Sequence, residues 1–196
     1  MAGVQAVTDW YRLYLIHRYG GLWLDISIVV NEPKEIEDIY DNLGNKVFLY
    51  EQITNRFIAN DTEHPGIETW FIMARPGNGF LLLWKDEFEK AINMGFNAYT
   101  ETAYDHYEFS DSYVSLWNNM YHTIYKCGQV VMQRNKIGYD KINTKDCFLT
   151  MFKHQYDLGS ILLRKSPLNI KLINSERKII ERKCLEKFVN MYFRDN

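Results

Sequence analysis

The chain is poor in the features that mark several common functional classes. It has three cysteines in 196 residues, Cys127, Cys147 and Cys184. They are widely spaced, odd in number and form no C-x-x-C pair. That argues against a zinc cluster or a disulfide framework and for reduced thiols in a cytoplasmic setting. No apolar run approaches the ~20 residues of a membrane helix. The longest, Leu22 to Val30, is interrupted by Asp25. The N-terminus shows no charged-then-apolar leader pattern. A dominant charge is also missing: 23 basic and 25 acidic residues give a net charge of −2. Such a balance offers no general attraction for nucleic acid, so any anion site is local. There is no phosphate-binding glycine loop and no H-x-x-E-H-type zinc motif. Internal repeats and low-complexity tracts are absent. The one glycosylation sequon, Asn60-Asp61-Thr62, is too short a pattern to outweigh the cysteine reading.

What is present suits one α/β domain, residues 1–196. Hydrophobic residues make up 46% and aromatics 15% of the chain. Burying such side chains stabilises by roughly 1.5–3 kcal/mol each. Thr8 is placed to cap a helix from Asp9, along which Trp10, Leu13, Tyr14 and His17 recur at helical spacing. Gly20-Gly21 ends it, because glycine tolerates the left-handed conformation. Leu22 to Val30 predicts a single buried strand. Val47–Tyr50 and Thr69–Ala74 read as strands, the second closed by the turn at 75–79. Phe80–Met94 is an amphipathic helix with Leu81, Trp84, Phe88, Ala91 and Ile92 on one stripe. Residues 95–112 read as a tyrosine-rich loop and Tyr113–Arg134 as a helix. Ile161–Leu163 reads as a short strand, and a last helix starts at Asn174 or Ser175 and runs to about Phe193.

The chemistry concentrates early. Asp9 and Arg12 lie one helical turn apart. The Gly20-Gly21 turn then returns the chain as Leu22-Trp23-Leu24-Asp25-Ile26-Ser27. On one continuous strand, Asp25 and Ser27 share a face. A carboxylate and a hydroxyl are hard oxygen ligands of the kind Mg²⁺ and Mn²⁺ favour, with phosphate and water completing the shell. The competing interpretation is an ordinary strand end beside a helical Asp9–Arg12 pair.

These residues resemble a known family. Thr8-Asp9-Trp10-Tyr11-Arg12 and Tyr19-Gly20-Gly21-Leu22-Trp23-Leu24-Asp25-Ile26-Ser27 are similar to the S-D-x-x-R … Y-G-G-x-W-x-D-x-T/S signature of capsular polysaccharide synthesis proteins. Those are sugar transferases related to the DXD glycosyltransferases. Ile67-Glu68-Thr69-Trp70-Phe71 through Gly77-Asn78 resembles that family's E-S-W-F-I segment, and Leu168–Leu172 with Glu176-Arg177 resembles its ending. The resemblance implies a GT-A-like fold and transfer of a sugar from a nucleoside-diphosphate sugar to a glycan or other hydroxyl acceptor. It implies that Asp25, with Ser27, holds a divalent cation, Mn²⁺ or Mg²⁺, and that Asp25 is the catalytic centre. Asp9, Arg12, Gly20, Gly21, Lys171 and Arg177 fall on the donor side. From their chemistry, Glu68 and Trp70 are candidates for the acceptor side, where carboxylates meet hydroxyls and aromatic rings meet sugar faces; the competing interpretation is an edge-strand glutamate and a core tryptophan.

Two departures shape the expectation. Ser27 stands where the wider DXD pattern has a second carboxylate. The nucleotide-binding strands that the family places before Thr8 are missing, so the chain is expected to be the C-terminal part of a GT-A domain. The alternatives are a non-catalytic remnant that binds sugar or a partner chain, and a metal-dependent phosphotransferase or hydrolase. His154 is a further candidate metal ligand. The run Tyr99, Tyr104, Tyr107, Phe109 and Tyr113 suits ordinary packing better than an acceptor groove.

Overall fold

The structure is a computed structural model that describes residues 3–26, 28–30, 33–51, 63–109, 119–146 and 169–171. It divides into two compact units, one of residues 1–24 and 34–148, the other of residues 25–33 and 149–196.

Among the described residues, the larger unit is a mixed four-stranded sheet with three of its helices packed on one face. Helix α1 runs Val4–Tyr19 and is followed by β1, Gly21–Leu24. Helix α2 (Pro33–Asp41) leads to β3, Val47–Glu51, and then to β4, Ile67–Ala74. Helices α3 (Gly79–Met94), α4 (Phe96–Tyr104) and α5 (Asn119–Asn135) follow, then β5, Ile142–Asp146. The strand order is β1-β4-β3-β5, with β1 and β3 antiparallel to β4 and β5 parallel to β3. The fold is therefore α/β, as expected.

Every residue of β3 and β4 is buried. On the helical face, Val47, Leu49, Ile72 and Ala74 meet Leu13 and Ile16 of α1, Leu81, Trp84 and Phe88 of α3, and Ile124 and Val131 of α5. The Trp84 indole N–H donates to the Ile124 carbonyl at 2.7 Å, so a large ring enters the core with its one polar atom satisfied. Phe48, Tyr50, Trp70 and Phe71 form a second buried aromatic layer, in which Tyr50 and Trp70 stack with centroids 4.6 Å apart.

The smaller unit, among the described residues, is one antiparallel pair. Strand β2, Ile28–Val30, runs against β6, Asn169–Lys171, with Ile28 opposite Lys171.

Several expectations are corrected here. Thr8 does not cap α1. The helix starts a turn earlier, after Gly3, and the Thr8 hydroxyl donates back to the Val4 carbonyl at 3.1 Å. That back-bond is available to any threonine inside a helix, so the capping pattern was ambiguous. Leu22–Val30 is not one strand. Strand β1 stops at Leu24, and the Asp25 carbonyl accepts from the Ile28 N–H at 2.9 Å, closing a turn. Aspartate is favoured at the first position of such turns. Ile26 is 98% exposed at its tip. Strand β1 is half-buried and, among the described residues, at the sheet edge rather than the centre. Residues 96–104 are helical where a loop was expected, entered through Gly95 at φ 87°. Strand β5 was not anticipated: Ile142-Asn143-Thr144-Lys145-Asp146 has a single aliphatic residue, and its pairing with β3 overrides its weak local preference. The expected strand at 161–163 and the helix from 174 or 175 lie outside the described residues.

The join between α1 and β1 is tightly made. Gly20 has φ 68° and its N–H donates to the Ile16 carbonyl at 2.9 Å. A Cβ there would sit 2.6 Å from Pro76 Cδ and 2.8 Å from Pro76 N. At Gly21, φ is 93° but a Cβ meets nothing within 4 Å. Gly20→Ala is therefore expected to destabilise the fold by about 1–3 kcal/mol, and Gly21→Ala by less, since backbone strain alone opposes it. Urea denaturation of the two variants measures the difference; equal midpoints would remove Pro76 from the explanation.

Candidate functional site

Helix α1 presents Asp9 and Arg12 to the sheet, and both are at least nine-tenths buried. Arg12 Nη2 pairs with Asp9 Oδ1 at 3.0 Å, while Arg12 Nη1 donates to the Thr69 carbonyl at 2.7 Å. Its guanidinium also sits 5.3 Å from the centre of the Trp23 ring on β1. One side chain thus ties α1 to β1 and β4. A guanidinium is suited to this, because its planar fork donates in several directions and its face stacks on aromatics.

The Thr69 carbonyl is close to an irregularity in β4. The β3–β4 register shifts between Leu49, opposite Ile72, and Glu51, opposite Ile67. In a regular strand neighbouring side chains point to opposite faces. Here Glu68 and Thr69 both reach one hydroxyl on α5: Thr69 Oγ1 donates to the Tyr125 oxygen at 3.1 Å, and Tyr125 donates to Glu68 Oε2 at 3.5 Å. Bulges of this kind commonly re-aim side chains beside functional sites. The ring of His122, buried on α5, lies 5.5 Å from that of Tyr125.

The larger unit therefore brings together Asp9, Arg12, Trp23, Glu68 and Thr69 with Tyr125. Trp70 is 1% exposed in the aromatic layer, so its ring has no free face for a sugar to stack on. Gly20 and Gly21 shape the α1–β1 join. In the smaller unit, Asp25 is half-buried in the turn before β2. Lys171 ends β6 opposite Ile28, three residues beyond Asp25. Ser27, His154 and Arg177 lie outside the described residues.

Among the described residues no three His, Cys, Asp or Glu side chains converge on a point. The described donor set is one carboxylate, Asp25. It fits a cation carried mostly by diphosphate oxygens and water, as Mg²⁺ often is, and does not fit a cage of protein ligands.

The family model of capsular polysaccharide synthesis proteins matches residues 3–127, more than half of the chain. The chain belongs to this family. Within the capsular polysaccharide synthesis family match fall Asp9, Arg12, Gly20, Gly21, Asp25, Glu68 and Tyr125, whereas Lys171 and Arg177 lie beyond it. The chain is also similar to the O-glycosyltransferase PaGT of Phomopsis amygdali, with 32% identity over 91 residues. That match covers 45% of this chain and 22% of PaGT, so the chain spans about a fifth of that relative's length. No solved structure matches the chain. No helix among the described residues is long and apolar enough to cross a membrane.

Other buried polar groups escaped the sequence reading. Glu87 on α3 accepts from Tyr99 at 3.0 Å and from Arg134 at 2.7 Å. Tyr99 is raised well above the ordinary phenol range, first by burial. Ordinary packing thus accounts for Tyr99, and also for Tyr104, edge-on to Phe109 at 5.1 Å; Tyr113 lies outside the described residues. Lys126 is wholly buried on α5; its ammonium lies 3.3 Å from Thr100 Oγ1 and 5.2 Å from the centre of the Tyr104 ring. Burial lowers its pKa to about 8, against a smaller opposing influence from Cys127. The only early signal was a lysine at the buried spacing of an amphipathic helix.

A folded pKa below the unfolded value means that the unfolded chain binds more protons between pH 8 and 10.5. The Lys126 contribution to stability therefore rises with pH across that window. Lys126→Met is expected to be more stable than wild type at pH 7 by on the order of 1–2 kcal/mol. The advantage should shrink as pH passes 8 towards 10. Paired denaturation curves at several pH values check this; an advantage independent of pH would mean that packing, not charge, was relieved.

Proposed function

We propose that the chain is a GT-A-like glycosyltransferase that moves a sugar from a nucleoside-diphosphate sugar to a hydroxyl on a glycan or other acceptor. The observation that carries this reading is the family match over residues 3–127, which takes in Asp9, Arg12 and Asp25. The similarity to PaGT supports it.

In the proposed reaction the acceptor oxygen attacks the anomeric carbon. The bond from that carbon to the diphosphate oxygen breaks, and the acceptor proton leaves to a base. Asp9 would serve the donor side as one half of the buried Asp9–Arg12 pair. Arg12 holds Asp9 in one orientation and bonds it to β4 through Thr69. Pre-setting the geometry in this way lowers the entropic part of the barrier. Asp25 would hold the donor diphosphate through a divalent cation, Mn²⁺ or Mg²⁺. A bound cation of this type supplies Lewis-acid stabilisation of the charge that builds on the departing diphosphate. Lys171 and Arg177 would add positive charge for the same leaving group.

Calorimetry with UDP-, GDP- and dTDP-sugars, with and without Mn²⁺, tests the donor part. Binding of at least one donor that fades in chelator is expected; equal binding in chelator would remove the metal. Binding without release of nucleoside diphosphate in the presence of acceptors would favour a sugar-binding chain over a transferase.

A further inference from the structure

On the side of α1 away from Asp9 and Arg12, a groove of about 480 Å³ opens between α1 and α3. Small-molecule sites commonly have volumes of about 300–1,000 Å³. Val7, Trp10 and Tyr11 line it from α1, and Glu89, Ile92 and Asn93 from α3.

Its aromatic wall is held in place. The Trp10 indole N–H donates to Glu89 Oε1 at 2.7 Å, the ring stacks on Tyr14 with centroids 4.8 Å apart, and Tyr11 stands edge-on at 5.1 Å. Its polar groups are only partly used. Glu89 Oε1 takes both Trp10 and Lys85. Glu89 Oε2, the Tyr11 hydroxyl and the Asn93 amide make no hydrogen bond among the described residues. Lys85 is already paired with Asp86 at 2.7 Å and Glu89 at 3.0 Å, so the groove offers no spare positive charge.

The ligand must then have an apolar face for Trp10, Tyr11, Val7 and Ile92, and hydroxyl-type edges for Glu89 and Asn93. It must also lack a negative charge, which Glu89 would repel. A purely apolar helix or lipid tail would bury the Glu89 carboxylate without a new partner, at considerable cost. A pyranose ring meets all three demands: its C–H faces are apolar, its hydroxyls point outward, and it is neutral. We propose that this groove is a carbohydrate-binding site for an uncharged sugar ring, separate from the Asp9–Arg12 cluster. The inference rests on the groove alone and holds whether or not the chain transfers sugar.

The test is saturation-transfer NMR on the full chain with cellobiose, maltose, lactose and N,N′-diacetylchitobiose, and with a glucuronic-acid disaccharide as the charged control. At least one neutral disaccharide should receive saturation on its ring protons, and the charged one less. Tyr11→Ala, a change at a residue 47% exposed, should weaken binding by about tenfold. Asn93→Ala, also at an exposed position, is the second variant and should weaken it in the same direction. No signal from any neutral disaccharide, preference for the charged one, or unchanged binding in Tyr11→Ala would overturn the assignment.

Discussion

Replacing Arg12 with alanine should destabilise the larger unit by about 3–5 kcal/mol, the usual cost of breaking a buried charge pair from one side. The change strips Asp9 of its 3.0 Å partner and the Thr69 carbonyl of its 2.7 Å donor in one step. It also removes the cation from above Trp23. In a domain of this size each kcal/mol lowers the melting temperature by roughly 2–4 °C, so a fall of about 6–20 °C is expected. Arg12→Lys keeps the charge but loses the planar fork, and should fall between alanine and wild type. The double variant Asp9→Asn, Arg12→Leu should recover part of the loss, because no unpaired charge remains buried. Differential scanning calorimetry of the four proteins decides it. If Arg12→Ala melts within a degree or two of wild type, the pair is not structural and its burial has been misjudged.

This result bears on how Asp9 and Arg12 are understood. The family resemblance implies a donor role for them, whereas their placement makes Arg12 a tie between α1, β1 and β4. Both hold if the tie is what orients Asp9. Loss of function in an Arg12 variant is therefore interpretable only beside its stability.

Much of the larger unit was legible from periodicity. The helix at Gly79–Met94 was readable because Leu81, Trp84, Phe88 and Ala91 recur at helical spacing; the structure adds a cap that was not read, Asn78, accepting from the Leu81 N–H at 3.1 Å. The strands β3 and β4 were readable from their continuous apolar and aromatic runs. Strand β5 was not, because its stability comes from pairing with β3 rather than from its composition. The Asp25 turn was hidden by the same rule that revealed β4: an apolar run interrupted by one aspartate matches a strand with a functional carboxylate as well as two strands joined at a turn. Local pattern cannot separate these, since pairing partners distant in sequence decide between them.

The candidate site was legible in part. The i, i+3 spacing of Asp9 and Arg12 predicts their ion pair, which is present. Tyr125 was not anticipated, because nothing in the sequence of α5 marks a tyrosine that meets Glu68 and Thr69 across 56 and 57 residues. Trp70 was singled out for its aromatic ring, but its neighbours Tyr50 and Phe71 claim that ring for the core.

Asp25→Ala should separate function from folding in the opposite way to Arg12→Ala. Asp25 is half-buried in a turn, and the contact that closes the turn uses its backbone carbonyl, which alanine retains. Alanine does lose the side chain's own contacts, so the melting temperature should fall by only a few degrees, roughly 1 kcal/mol. Turnover should fall by roughly 10²–10³, the scale seen when a group that stabilises developing charge is removed. The decisive measurement is nucleoside diphosphate release by wild type and Asp25→Ala, with UDP-, GDP- and dTDP-sugars, Mn²⁺ and a panel of hydroxyl acceptors. Acceptor-dependent release by the wild type with at least one donor, lost in a folded Asp25→Ala variant, is the expected result. Release that is equal in both proteins, or absent from a folded wild type with every donor, would contradict the assignment of sugar transfer to this site.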